Sequence, residues 1–186
     1  MATLTSTPTL VPAGTYAVDP SHSSVEFAVK HLGIATVRGT FGTFEGSLEL
    51  GDNLADAKAY GTVDVASVDT NEPQRDEHLR SPDFFDAENH PRIEFKSRQI
   101  RPIDDETFVI VADLTLHGIT REVKLTAEIQ GTEIDPWGNE RVGLEITGQL
   151  NRADYDMKFN QVLGSGNLLV SDKVKLRLDI SAVKKA

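Results

Sequence analysis

Apolar and polar residues alternate with a period of two along most of the chain, the pattern of strands buried on one face only. In Thr107–Leu116 the apolar set is Phe108, Ile110, Ala112, Leu114 and Leu116. In Ile119–Gln130, Ile119, Val123, Leu125, Ala127 and Ile129 alternate with Thr120, Glu122, Lys124, Thr126 and Glu128. Ser24–His31 carries Val25, Phe27 and Val29; Arg141–Leu150 carries Val142, Leu144, Ile146 and Leu150. Asp172–Val183 sets Val174, Leu176, Leu178 and Ile180 against Lys173, Lys175, Arg177 and Asp179. Ala57–Ser67 and Arg92–Ile100 read the same way, with Val63, Val65, Ile93 and Phe95 inward. In Ile34–Leu50 the inward set starts on odd positions (Ala35, Val37, Phe41) and moves to even ones (Phe44, Leu48, Leu50). Such a change of phase needs an extra residue, and Gly42-Thr43 is the natural place for the bend.

These segments make eight strands joined mostly by short connections. His117-Gly118 is a tight hairpin turn and Asp135-Pro-Trp-Gly-Asn a longer one. One-sided patterning belongs to antiparallel sheets, and no helical layer is available to cover the apolar face. The sheet must therefore close on itself. The expected fold is all-β, an eight-stranded antiparallel up-and-down barrel, whose interior holds side chains alone or one slender ligand. The expected organisation is a loosely held tail over residues 1–14, Thr/Pro-rich at its start, and a single domain over residues 15–186.

A closed sheet does not need the helical insert expected at residues 70–86. Asn71 with Gln74 three positions on suggests a capping box, and Pro73 suits the first turn. Ser81-Pro82 suggests a second short helical piece. The insert holds Arg75, Arg80, His78 and the pair Phe84-Phe85, a mixture suited to capping a cavity.

Composition narrows the options. A length of 186 residues suits one domain with a sizeable core, and a net charge of -10 disfavours nucleic acid and anionic membranes as partners. The absence of cysteine excludes disulfides, thiolate metal sites and cysteine nucleophiles. The first dozen residues have neither a basic region nor a continuous apolar run, and no apolar stretch reaches membrane-spanning length. These features predict a soluble, cytoplasmic protein.

Candidate chemistry is sparse. The histidines at 22, 31, 78, 90 and 117 show no zinc spacing. A joint His31/His78 metal site has only the pair itself in its favour, and no metal or cofactor is expected. His31 extends the inward set of its strand and reads first as a rim histidine; His117 reads as a turn residue. His78 shares a helix face with Arg75, which equally describes a solvated face. Asp104-Asp105 and Asp154/Asp156 are chance spacings among 29 acidic residues. Gly164-Ser-Gly lacks a nucleophile-elbow frame. The inward phenylalanines are individually ordinary core. Together with small inward residues (Ala35, Gly39, Gly46, Ala57, Ala59, Gly61, Ser97, Gly148) they suggest unfilled apolar volume.

Four stretches carry a family resemblance: Tyr16-Ala-Val-Asp-Pro-Ser-His-Ser-Ser-Val-Glu-Phe, Arg75-Asp-Glu-His-Leu-Arg-Ser-Pro-Asp-Phe-Phe-Asp, Leu114-Thr-Leu-His-Gly-Ile-Thr-Arg-Glu-Val and Leu150-Asn-Arg-Ala-Asp-Tyr. From Thr15 to Val183 the chain resembles the YceI-like family. The resemblance implies a lipocalin-like barrel whose lumen holds a polyisoprenoid or similar long amphiphile, with the insert beside its mouth. After Tyr155 the family often has Gly, Met and Trp, where this chain has Asp156, Met157 and Phe159. Many relatives are periplasmic, a location this chain's start does not suggest.

The expected function is non-catalytic binding or carriage of such a lipid. The expected lumen residues are Phe27, Val29, Val37, Phe41, Phe44, Phe95 and Phe108. The expected mouth and head-group residues are His31, Arg75, His78, Leu79, Arg80, Phe84, Phe85 and Phe159, arginine suiting a phosphate. The alternatives are an enzyme on a hydrophobic substrate using His31 or His78 as base, and a structural module whose barrel is filled by its own side chains. A homodimer through strand edges or the insert is left open.

Overall fold

The computed structural model describes residues 11–166 and 168–185. Its strands are β1 (Gly14–Val18), β2 (Ser24–His31), β3 (Ala35–Phe41), β4 (Phe44–Leu50), β5 (Lys58–Asp64), β6 (Val68–Asp69), β7 (Arg92–Pro102), β8 (Thr107–Leu116), β9 (Ile119–Ile134), β10 (Glu140–Asn151) and β11 (Val170–Lys184). The α-helix α1 (Pro73–Arg80) lies between β6 and β7. All strand neighbours are antiparallel, and β1 pairs with both β4 and β11, which closes the ring.

Eleven segments build eight barrel strands because three strands are each broken in two. β1 and β2 lie end to end along β11, separated by a short 3₁₀ turn that opens on Pro20, which cannot donate to a ladder. Across that break Asp19 N donates to Ser181 O at 2.8 Å and Ser181 N to Ser23 Oγ at 2.9 Å, so β11 runs on uninterrupted. β3 and β4 part at Gly42-Thr43, where the alternation changes phase; β3 pairs with β2 and β6, β4 with β1 and β5. The expected eight-stranded up-and-down barrel is the observed one, with β1 as a segment the alternation did not reveal.

The inward residues form two clusters. One gathers Phe27, Phe41, Phe84 and Phe85 with the inward faces of β8 and β9; the other gathers Val11, Tyr16, Phe108, Ile129, Val142, Ile180 and Ala182. Val11 belongs to the second cluster at 4% exposure, and the Tyr16 hydroxyl donates to Pro12 O at 2.8 Å. The end of the expected loose tail is therefore anchored; residues 1–10 lie outside the described residues.

The insert departs from expectation in two places. Asn71 has φ 65°, left-handed backbone that an N-cap does not adopt, and Glu72 caps α1 instead, accepting from Gln74 N and Arg75 N. Residues 81–85 form turns rather than a second helix, although Ser81 Oγ does accept from Asp83 N at 3.3 Å. Among the described residues no helix is long and apolar enough to cross a membrane.

Candidate functional site: the barrel lumen

The barrel interior is not filled. A cavity of about 620 Å³ runs between the two clusters, within the range of roughly 300–1,000 Å³ typical of ligand pockets. Val25, Val29, Val174 and Leu176 pack against the first cluster yet are only partly buried, because each also lines this space. Walls of this composition favour an apolar occupant over water. The barrel is not filled by its own side chains, as a purely structural module would require.

Small residues contribute differently from one another. Ala59, Gly46 and Gly61 stand on the cavity wall. Gly39 and Gly148 do not leave space: a Cβ at Gly39 would lie 2.3 Å from Phe27 Cζ, and one at Gly148 would lie 2.3 Å from Leu125 Cδ2. Each admits a neighbour's large side chain. Ala35 is exposed, and Ser97 Oγ accepts from Ala59 N at 2.9 Å beside a register shift in the β7–β8 pairing.

α1 and the turns after it cover one end of the cavity through Arg75, His78, Leu79, Phe84 and Phe85. The polar start of the insert is held by Asp76, which is 7% exposed and accepts from both Thr70 N (2.8 Å) and Thr70 Oγ1. Arg75 Nε and Nη2 donate to Thr70 Oγ1 and O, each at 2.7 Å. The far end is folded back by Phe85 N to Leu79 O and Ala87 N to Arg80 O, both 2.9 Å. Two ring clusters result. Phe27, Phe41 and Phe85 meet with centroids 5.5–6.4 Å apart, and His78, Phe84 and Phe159 with centroids 5.0–5.2 Å apart.

The YceI-like domain family matches residues 16–182 of the sequence. This chain belongs to the YceI-like family. A UPF0312 protein of Vibrio parahaemolyticus is 39% identical over 176 residues, covering 93% of this chain and 89% of the relative. The crystal structure of the Campylobacter jejuni YceI protein superposes with a TM-score of 0.71 at 28% identity, over 84% of this chain and 90% of that one. A polyisoprenoid binding domain from Saccharophagus degradans, implicated in plant cell wall breakdown, shares the fold with a TM-score of 0.70 at 16% identity, over 91% and 98% of the two chains.

On this YceI-like barrel the candidate residues fall into place unevenly. Phe27, Val29, Val37, Phe41, Phe44 and Phe95 line the cavity; so do His31, Arg75, His78, Leu79, Phe84, Phe85 and Phe159. Phe108 does not, because its stretch of β8 lies in the second cluster against Tyr16 and Val142. Arg80 does not either: its Nε donates to Ala66 O at 3.0 Å and its Nη2 to Val68 O at 3.3 Å, away from the lumen. His78 Nε2 lies 2.9 Å from Asp83 Oδ2.

Arg152 escaped the sequence reading as a wall residue. It is 3% exposed, lines the cavity, and donates to Met157 O (2.6 Å), Ser171 O (2.9 Å) and Val170 O (3.3 Å). Burial lowers its pKa, and Asp172 at 3.6 Å works in the opposite direction. It fastens the β10–β11 connection, which also brings Met157 and Phe159 to the cavity. The inward positions of β11, Val174, Leu176 and Leu178, line it as well. Their alternation was visible in the sequence, but alternation does not separate a packed position from a cavity wall.

Proposed function

We propose that this protein binds a long-chain isoprenoid or similar amphiphilic lipid, apolar chain in the lumen and polar head toward α1, without chemical change to it. The observation that carries the reading is the cavity of about 620 Å³ with its apolar wall. Each buried methylene contributes about 0.8 kcal/mol, so roughly ten or more carbons offset the cost of association without many polar contacts. The shared fold of a polyisoprenoid binding domain supports the same ligand class. His31, His78 and Arg75 line the cavity; two Arg75 nitrogens are already given to Thr70, leaving its remaining N–H groups for a head group. Arg80, turned away, is not part of this set.

Native mass spectrometry of freshly purified protein, followed by organic extraction and re-exposure to prenyl lipids, tests the proposal. The expected result is a bound species that extraction removes and that Ala59→Phe, which adds volume at the cavity wall, reduces strongly. A protein that carries no lipid and takes up none would overturn it. The His78–Asp83 pair is the geometry that favours catalysis, resembling a base held by an orienting carboxylate. Its ring neighbours are Phe84 and Phe159 rather than a hydroxyl nucleophile. Turnover of a lipid ester abolished by His78→Ala would select that reading instead.

A further inference from the structure

At the end of the insert, Asp86 and nearby His90 meet His117 of the β8–β9 turn, which is distant in sequence. Asp86, His90 and His117 each offer one ligand atom, and these atoms lie within 4.8 Å of one another; all three residues are half-buried. We infer that they form a binding site for one divalent transition-metal ion of the zinc class. Two imidazoles and one carboxylate are a set that suits zinc and neighbouring metals, with positions left over for solvent. Ligand distances of about 2.1 Å require the side chains to close further on the ion, which half-buried rings and a carboxylate do by rotation.

Two features prepare the site. His117 Nδ1 lies 2.9 Å from Tyr155 O. A carbonyl only accepts, so the proton is on Nδ1 and Nε2 keeps the free lone pair that a metal needs. Gly118 makes the approach of the second ring possible: its φ is 74°, and a Cβ there would stand 2.7 Å from His90 Cε1 and 3.0 Å from His90 Nδ1. The two rings meet edge to face with centroids 5.0 Å apart. Asn89 Nδ2 donates to the Asp86 carboxylate at 3.0 and 3.2 Å and orients it. A bound ion would tie the end of the insert to the β8–β9 turn and, through Tyr155, to the start of the β10–β11 connection. The site stands whatever the lumen holds.

The test uses the full chain, stripped with chelator and dialysed against zinc, with metal counted by elemental mass spectrometry and affinity measured by calorimetry. One zinc per chain and a raised Tm are expected. His90→Ala, whose ring makes no hydrogen bond among the described residues, and Asp86→Asn should each weaken affinity roughly ten-fold or more. Circular dichroism of both should match the parent, and His78→Ala should keep full zinc occupancy. Absence of zinc uptake overturns the inference. So does uptake unchanged in His90→Ala, or uptake lost in His78→Ala and kept in His90→Ala.

Discussion

Arg75 and Arg80 show what the position of one residue decides. They are five apart on α1, hence about 140° apart around its axis, so both cannot face the lumen. Arg75, His78 and Leu79 share the cavity side. Arg80 instead holds the carbonyls of Ala66 and Val68. Arg80→Ala should therefore leave lipid occupancy intact and lower stability by about 1–2 kcal/mol, a Tm drop of a few degrees by calorimetry. Arg152 is the stronger case, since removing it takes the side-chain donor from Met157 O and Ser171 O, while Val170 O keeps Asn160 Nδ2 at 2.8 Å. Arg152→Met should cost about 3 kcal/mol or more and loosen residues 157–172 in hydrogen exchange. In the sequence all three arginines are simply cations near apolar residues; the helical period separates two of them, and only packing shows the third to be buried.

At the scale of the element, the insert depends on polar fastening. α1 is eight residues long, too short to persist alone, and Asp76 is its one buried residue. Asp76→Ala should leave Thr70 N without its partner and cost about 2 kcal/mol. Amides of 70–87 should exchange faster while those of β8 and β9 keep their protection. A matching loss of protection in the barrel strands would mean that the insert and barrel unfold as one unit. The helix was legible from Pro73 and its flanking polar residues, but its cap was not. Asn71 fits the motif, yet the left-handed backbone there passes the capping role to Glu72. The turns after Ser81 were legible as an N-terminal signal, but the return hydrogen bonds to Leu79 and Arg80 prevent a helix from continuing.

For the whole molecule the decisive feature is the seam where β11 meets β1. Arg141 spans it, with Nη1 on Asp19 at 2.9 Å and Nε on Asp135 at 2.8 Å. Asp135 is pulled down to about 2, chiefly by Arg141, and Asp19 is held well below the ordinary carboxylate range by Ser21, His22 and Arg141. An unfolded aspartate titrates near 3.9, so the unfolded chain binds more protons between that value and about 2. Stability from these groups is complete above about pH 5 and lost as pH falls from there toward 2. A Tm-against-pH series should show that loss, and Arg141→Met should flatten it; an unchanged slope would assign acid sensitivity to other carboxylates. The sequence by itself determined the one-sided strands, the change of phase at Gly42-Thr43 and hence a closed antiparallel barrel, because side-chain period is a local property of the backbone. Tertiary structure decided the rest: closure through β1, too short to show alternation, and the space left beside Ala59 when Phe27 and Leu125 fill the places beside Gly39 and Gly148. It also set the meeting of Asp86, His90 and His117. Volume and proximity arise when distant segments pack, and no local pattern contains either.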